Sequence, residues 1–285
     1  MNTTVTITPA SPSRPLPVVE FGRSADGLLV ARVGDTAFAM VPARQGRHFL
    51  ATGWRLSRPL ETWRRDDFYG HSGDVVDEAA FRALVAENAE HQRERAALGR
   101  CEIVSRVHTP WGSSQGATIY GEGVLCHSTA GHGGFQLAPE QNARVHPLLR
   151  SSSGFYEEDA EWAAVAQAFP DRFTGYERRL ADETLRNHWP EAWEAMHGRA
   201  LQHGESLERD RQIFERQHAG DWIVISAVSS DRFPGFVETT ATPGAKRGPG
   251  VERRRFLVPA AEYEPGLFGF VIDPARHQDL TDGTG

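Results

Sequence analysis

The sequence predicts an α+β fold, on three observations. Strand-like and helix-like stretches fall in separate blocks, which argues against alternating βαβ units. Apolar residues recur at helical spacing in a few well-bounded segments. The last quarter switches to short alternating runs between Gly- and Pro-rich turns, the pattern of a small antiparallel sheet. The expected architecture is N-terminal strands plus a helix, a central mixed domain with a Gly-His loop and helices, and a C-terminal antiparallel sheet.

Residues 1–17 are rich in Thr, Ser and Pro, with four prolines from Pro9 to Pro17, and read as a flexible arm. Residues 18–100 form a β-rich region with one helix. Apolar runs at 28–33 and 37–41 flank Gly34-Asp35, a hairpin signal. Trp54 and Trp63 lie in a stretch without a clear period. Asp77 suits an N-cap, and Phe81, Leu84, Val85 and Asn88 mark the stripe of a helix that ends near Gly99. The central α+β domain, 101–218, opens with short strand-like pieces at 103–107, 117–120 and 123–126. A Gly-rich loop over 129–134 and then Phe135-Gln136-Leu137 follow. A helix is expected from Glu157, because Glu157, Glu158, Asp159 and Glu161 would complement its dipole. Trp162, Val165, Ala166 and Phe169 would share its apolar face before Pro170 stops it. Thr174-Gly175-Tyr176-Glu177 is a capping box. Trp189-Pro190-Glu191 starts a short helix closed by Gly198, and 204–218 reads as a charged helix with Glu205 and Arg209 at i, i+4. Over 219–275, runs at 222–226, 235–239, 255–258 and 268–272 predict the strands of the C-terminal sheet. Residues 276–285 read as a polar tail.

Composition excludes several classes. The 285 residues are 39% hydrophobic and 24% charged, with 7 Trp and 15 Phe, which suffices for a core and excludes whole-chain disorder. The net charge of −7 divides into +1 over residues 1–100, −5 over 101–200 and −3 over 201–285. No third is strongly positive, which disfavours general nucleic-acid binding and favours a protein partner. Arg253, Arg254 and Arg255 read as a solvated face. Lys246 is the single lysine and sits in a turn-like stretch with no helix behind it. Walker-type NTPases, kinases and Schiff-base enzymes need a lysine placed otherwise. Cys101 and Cys126 supply no disulfide framework. No secretory signal is visible, and no run approaches the ~20 apolar residues of a membrane helix. The expectation is a soluble, cytoplasmic protein with no membrane partner.

Gly112-Ser113-Ser114-Gln115-Gly116 fits G-x-S-x-G. A strand-like run follows it where a helix is required, and His132-Gly133-Gly134 comes after it instead of before. Ser114 therefore reads as a turn residue between two strands. The densest chemistry is Cys126-His127-Ser128-Thr129-Ala130-Gly131-His132-Gly133-Gly134, where glycines expose amide donors and admit a close ligand. His127, His132, Ser128 and Glu157 are the candidates for a His-based acid/base site. A His-His-carboxylate set suits zinc or iron, so His127, His132 and Asp159 are the candidate ligands of a divalent metal, with Glu157 and Glu158 as alternative third ligands. These groups are expected near one concave surface. The other reading is a tight polar turn with one histidine bonded to backbone. A zinc set of Cys101, His108, Cys126 and His132 has the wrong spacing. Gly121-Glu122-Gly123 lacks the third glycine and the helix of a dinucleotide fingerprint. Trp162, Trp189 and Trp193 read as core.

The stretches 109–115 (Thr-Pro-Trp-Gly-Ser-Ser-Gln), 120–124 (Tyr-Gly-Glu-Gly-Val), 127–135 (His-Ser-Thr-Ala-Gly-His-Gly-Gly-Phe) and 155–159 (Phe-Tyr-Glu-Glu-Asp) together resemble a family of bacterial proteins, the domain of unknown function 7007. The likeness continues through Trp162, Phe169-Pro170 and Phe173-Thr174 and extends to 258–263 and 268–277, about half of the chain. Phe155 stands where the family pattern has Trp. The resemblance implies a bacterial origin, often with plasmids or other mobile elements, and assigns no catalytic residue. Two functions are expected on these grounds: an accessory or binding protein of a mobile element, acting in counter-defence, or a small hydrolase with a His-based, metal-dependent site in the 127–134 loop. An acidic nucleic-acid mimic would line its carboxylates along one face.

Overall fold

A computed structural model describes residues 17–281. The chain divides into two compact units, Met1–Leu185 and Arg186–Gly285. The class is α+β, with six α-helices and antiparallel sheets among the described residues. The expected arm, apart from Pro17, and positions 282–285 of the tail lie outside the described residues.

The first unit opens with an antiparallel meander, β1 (Val19–Arg23), β2 (Leu29–Val33), β3 (Thr36–Pro42), β4 (His48–Trp54) and β5 (Asp74–Val75), in that order across the sheet. Gly34-Asp35 is the two-residue turn between Val33 and Thr36, and Gly34 takes the positive φ of +56° such a turn requires. Both faces of the sheet are buried. Val30, Ala37, Ala39, Val41 and Ala51 pack on Leu60, Trp63 and Phe68. Ala31, Val33, Phe38 and Leu50 pack on Phe81, Val85 and Ala89 of α1 (Glu78–Ala97). Trp63 showed no period because it belongs to an irregular cover, pinned by its indole N–H to Arg58 O at 3.1 Å. Asp77 caps α1 by accepting from Ala80 N at 2.7 Å. The buried stripe of α1 is Phe81-Val85-Ala89, and Leu84 is exposed.

The second sheet has the order β12-β11-β10-β9-β6. In chain order the elements are β6 (Cys101–Ile103), the small hairpin β7 (His108–Thr109) and β8 (Gly112–Ser113), β9 (Gly116–Gly121), β10 (Val124–Ser128), β11 (Gly133–Leu137), α2 (Pro139–Asn142), β12 (Phe155–Glu157), α3 (Trp162–Ala168) and α4 (Gly175–His188). Two expectations are corrected here. Gly133 and Gly134 are strand residues, so the loop is only 129–132. The acidic residues 157–159 end a strand and turn away from it, because Phe155 and Glu157 pair with Gln136 and Gly134, and the helix starts at Trp162. The capping box forms as predicted: Thr174 Oγ1 accepts from Glu177 N at 3.1 Å and Glu177 Oε2 from Thr174 N at 2.8 Å. Arg100 then grips Glu177 with two bonds of 2.8 and 2.6 Å while its guanidinium lies 3.9 Å over the Tyr120 ring. That one side chain ties the segment after α1 to the second sheet and to α4.

The second unit holds α5 (Pro190–His197), closed by Gly198 at φ +65°, and α6 (Leu207–Gln217), capped by Ser206. Arg209 pairs with Glu191 and Glu194 rather than Glu205, which is occupied by both arms of Arg199 at 2.6 and 2.8 Å. The sheet runs β13 (Trp222–Ser229), β14 (Phe236–Pro243), β15 (Arg254–Pro259), β16 (Gln278–Asp279). Ala241, Phe256, Val258 and Ile272 form its core. The 268–272 run is not a strand. It touches β13 through Val224 N to Phe270 O (2.9 Å) and Ile272 N to Trp222 O (2.7 Å), because Gly266 and Gly269 exchange backbone bonds and turn the chain at its start. Residues read as tail supply β16 instead. Lys246 is exposed in the turn after β14, where its carbonyl accepts from Thr242 Oγ1 at 2.8 Å. No helix among the described residues is long and apolar enough to cross a membrane.

Candidate metal centre

The β10–β11 hairpin sets two histidines in opposite environments. Its register pairs Ser128 with Gly133, His127 with Gly134 and Cys126 with Phe135. The tip is closed by Thr129: its N–H and hydroxyl both donate to His132 O, at 2.9 and 2.6 Å, and its hydroxyl oxygen accepts from His132 N at 3.2 Å. This leaves the His132 side chain 62% exposed beside β12, with Nδ1 3.5 Å from Glu157 Oε1. Glu158 is placed by its own N–H, which donates to Gly133 O at 3.1 Å. One ligand atom each from His132, Glu157 and Glu158 lies within 4.8 Å of the others.

The paired glycines make this possible by what they omit. A Cβ on Gly133 would lie 2.6 Å from Glu158 Oε2 and 2.7 Å from His127 O. A Cβ on Gly134 would lie 2.3 Å from Tyr156 O and 2.4 Å from the Trp111 ring. Trp111 also meets Phe155 edge to face, with centroids 5.9 Å apart. The glycines thus serve close approach within a sheet rather than loop freedom.

His127 does not join the cluster. It is 2% exposed, with Nε2 2.9 Å from Gln136 Oε1 and Nδ1 3.1 Å from Ser114 Oγ and 3.4 Å from Ser105 Oγ. Nε2 donates to the Gln136 oxygen, so Nδ1 accepts from a serine hydroxyl. Ser114 gives its one hydroxyl hydrogen to Gly116 O at 2.8 Å, which leaves Ser105 as the donor to Nδ1, and it is buried between β8 and β9, the turn position the sequence suggested. The expected convergence of His127 and His132 on one surface is therefore corrected: a Gly-Gly strand in place of a loop sends one ring into the interior and leaves the other outside. Ser128 is exposed at the end of β10, its hydroxyl 3.4 Å from Gly116 O. Asp159 is exposed beyond the cluster, and its N–H donates to Glu157 Oε2 at 3.2 Å. Burial, and then the Glu158 charge, push the Cys126 thiol up to about 11, so it is not poised as a thiolate ligand. Cys101, His108 and Cys126 are outside the ligand group.

The geometry suits a small cation. Tetrahedral bonds of about 2.1 Å place ligand atoms about 3.4 Å apart, and the His132–Glu157 separation is 3.5 Å. Exposed carboxylates can close the remaining distance by rotamer adjustment. Sequence reasoning ranked Glu158 below Asp159 and missed Gln136 and Trp111. Reading Phe155-Tyr156-Glu157-Glu158 as a strand entering a turn would have found Glu158.

Residues 104–219 match a family described as a domain of unknown function (DUF7007). The matched segment contains the hairpin, β12 and all three residues of the cluster. No curated protein and no solved structure matches the chain.

Proposed function

We propose that His132, Glu157 and Glu158 hold a divalent transition-metal ion, and that the protein is a metal-dependent hydrolase. The observation that carries this is the grouping of one imidazole and two carboxylates within 4.8 Å. A nitrogen ligand favours zinc over magnesium or calcium, which prefer all-oxygen sets. Three protein ligands leave a position open, the arrangement of catalytic zinc, which supplies Lewis acidity there. His127 is a positioning residue in this scheme: its buried network fixes β10 against β11 and so fixes the hairpin tip. Calorimetric titration with Zn²⁺ tests the site. We expect one ion per chain, and His132→Ala or Glu158→Gln to weaken it at least about tenfold, or ~1.4 kcal/mol. Equal zinc affinity in both variants refutes the site. Zinc-dependent cleavage across ester, phosphoester and amide substrates, lost in His132→Ala, tests the activity.

A second reading is a non-catalytic accessory protein of a bacterial mobile element. What supports it is the position of His132 at an exposed hairpin tip, where a partner's side chain can complete the coordination. In that case His132→Ala abolishes partner binding, and zinc loading confers no turnover.

A further inference from the structure

We infer that the groove between the first sheet and α1 is a second ligand site, built for a short neutral oligosaccharide. Two adjoining cavities of about 440 and 500 Å³ share Thr36, Trp54, Asn88 and His91. Each lies in the range of small-molecule sites. Trp54 is 53% exposed, Tyr69 76% and Leu84 37%, and all three line the larger cavity. Large apolar side chains gathered at the surface in one concavity are the usual mark of a recognition surface.

The backbone supports the placement of the indole. Trp54 ends β4, and the next residue, Arg55, is a non-glycine at φ +56°. Its N–H donates to Asp35 O at 2.7 Å, and its guanidinium pairs with the Asp35 carboxylate at 3.6 Å. Strained backbone of this kind persists where surrounding contacts impose it, and it clusters at ligand sites.

The polar groups are neutral and directional. The Thr174 hydroxyl oxygen accepts from Glu177 N and lies 2.8 Å from His91 Nδ1, which leaves His91 Nε2 for a ligand hydroxyl. Burial lowers the His91 pKa, which keeps the ring neutral at neutral pH. Asn88 Oδ1 accepts from Gln92 at 2.8 Å, which leaves the Asn88 amide N–H groups as donors. Thr36, Thr52 and Ser72 add hydroxyls. The carboxylates in the lining, Asp35 and Glu87, are paired with Arg55 and Arg179. Among the described lining residues Arg95 is the one cation, too little for a phosphate chain. Aromatic rings for the C–H faces of a sugar, and fixed neutral donors for its hydroxyls, match a pyranose better than a nucleotide.

The test uses the full chain with chitotriose, cellotriose, maltotriose and, separately, adenosine, read by calorimetry and tryptophan fluorescence. We expect at least one trisaccharide to bind with a Kd of about 1 mM or tighter. Trp54→Ala and Tyr69→Ala should each weaken it about tenfold, with circular dichroism and melting temperature unchanged. His132→Ala should leave it unchanged, which separates this site from the metal centre. No trisaccharide binding at about 10 mM, binding undiminished in both aromatic variants, or binding of adenosine alone overturns the inference.

Discussion

His127 and His132 are the same side chain five residues apart, and their surroundings assign them opposite roles. His127 is buried with both ring nitrogens engaged. His127→Ala should cost about 2–4 kcal/mol, combining a cavity with unpaired serine and glutamine groups. His132→Ala removes an exposed ring and should change stability by less than about 0.5 kcal/mol. Urea unfolding of the two variants checks both. Gly134→Ala forces a methyl against Trp111 and Tyr156 O and should cost about 2–3 kcal/mol. Cys126, with its thiol held near 11 by burial, should resist iodoacetamide at about pH 8 until the protein unfolds. At this scale the sequence was half legible. Ser114 read correctly as a turn residue, since an apolar alternating run followed it. The burial of His127 was hidden, because the groups that meet its ring, Ser105, Ser114 and Gln136, come from separate segments that only the sheet pairing brings together.

Several elements with capping or stop signals formed where the sequence placed them. The cap at Asp77, the box at Thr174 and Glu177, and the stop at Gly198 each depend on residues within four positions, so each was visible. Strand β12 was not visible. Its pairing with β11 is a long-range contact, and its acidic end imitates a helix start. The run at 268–272 misled for the converse reason, since its apolar alternation is real but Gly266 and Gly269 turn the backbone out of the ladder. Glu177 gives a prediction at this scale. Burial alone would raise its carboxyl pKa, but Arg100 and the Thr174 N–H outweigh that and hold it below the ordinary value. A carboxyl lowered in the folded state stabilises above its unfolded pKa and loses that contribution as pH falls through the folded one. Glu177→Gln should therefore cost about 1–3 kcal/mol at pH 7. The difference from the unaltered protein should shrink as the pH falls below about 4.5, as followed by urea unfolding across that range.

At the scale of the molecule, the proposed metal centre and the proposed groove site both belong to Met1–Leu185. Zinc should raise hydrogen-exchange protection in peptides covering 124–137 and 155–158, while those covering 222–259 stay unchanged, since a ligand stabilises only the structure that binds it. Slower exchange in both sets would argue against a localised site. The arginine-rich composition shows its effect here. Arg100, Arg199 and Arg211 each take a carboxylate through two guanidinium nitrogens, a geometry that lysine cannot supply. Of these carboxylates Glu177 lies in the middle third, where Glu191 and Glu194 are likewise paired, with Arg209, which weakens the support for a bare acidic mimic. The exclusion of lysine leaves Lys246 alone, exposed in its turn in the Arg186–Gly285 unit. Apart from a free α-amine, an amine-reactive surface has one point by which to hold the molecule. Every tethered copy would then be held through the Arg186–Gly285 unit, and the unit with the proposed metal centre and groove would carry no tether.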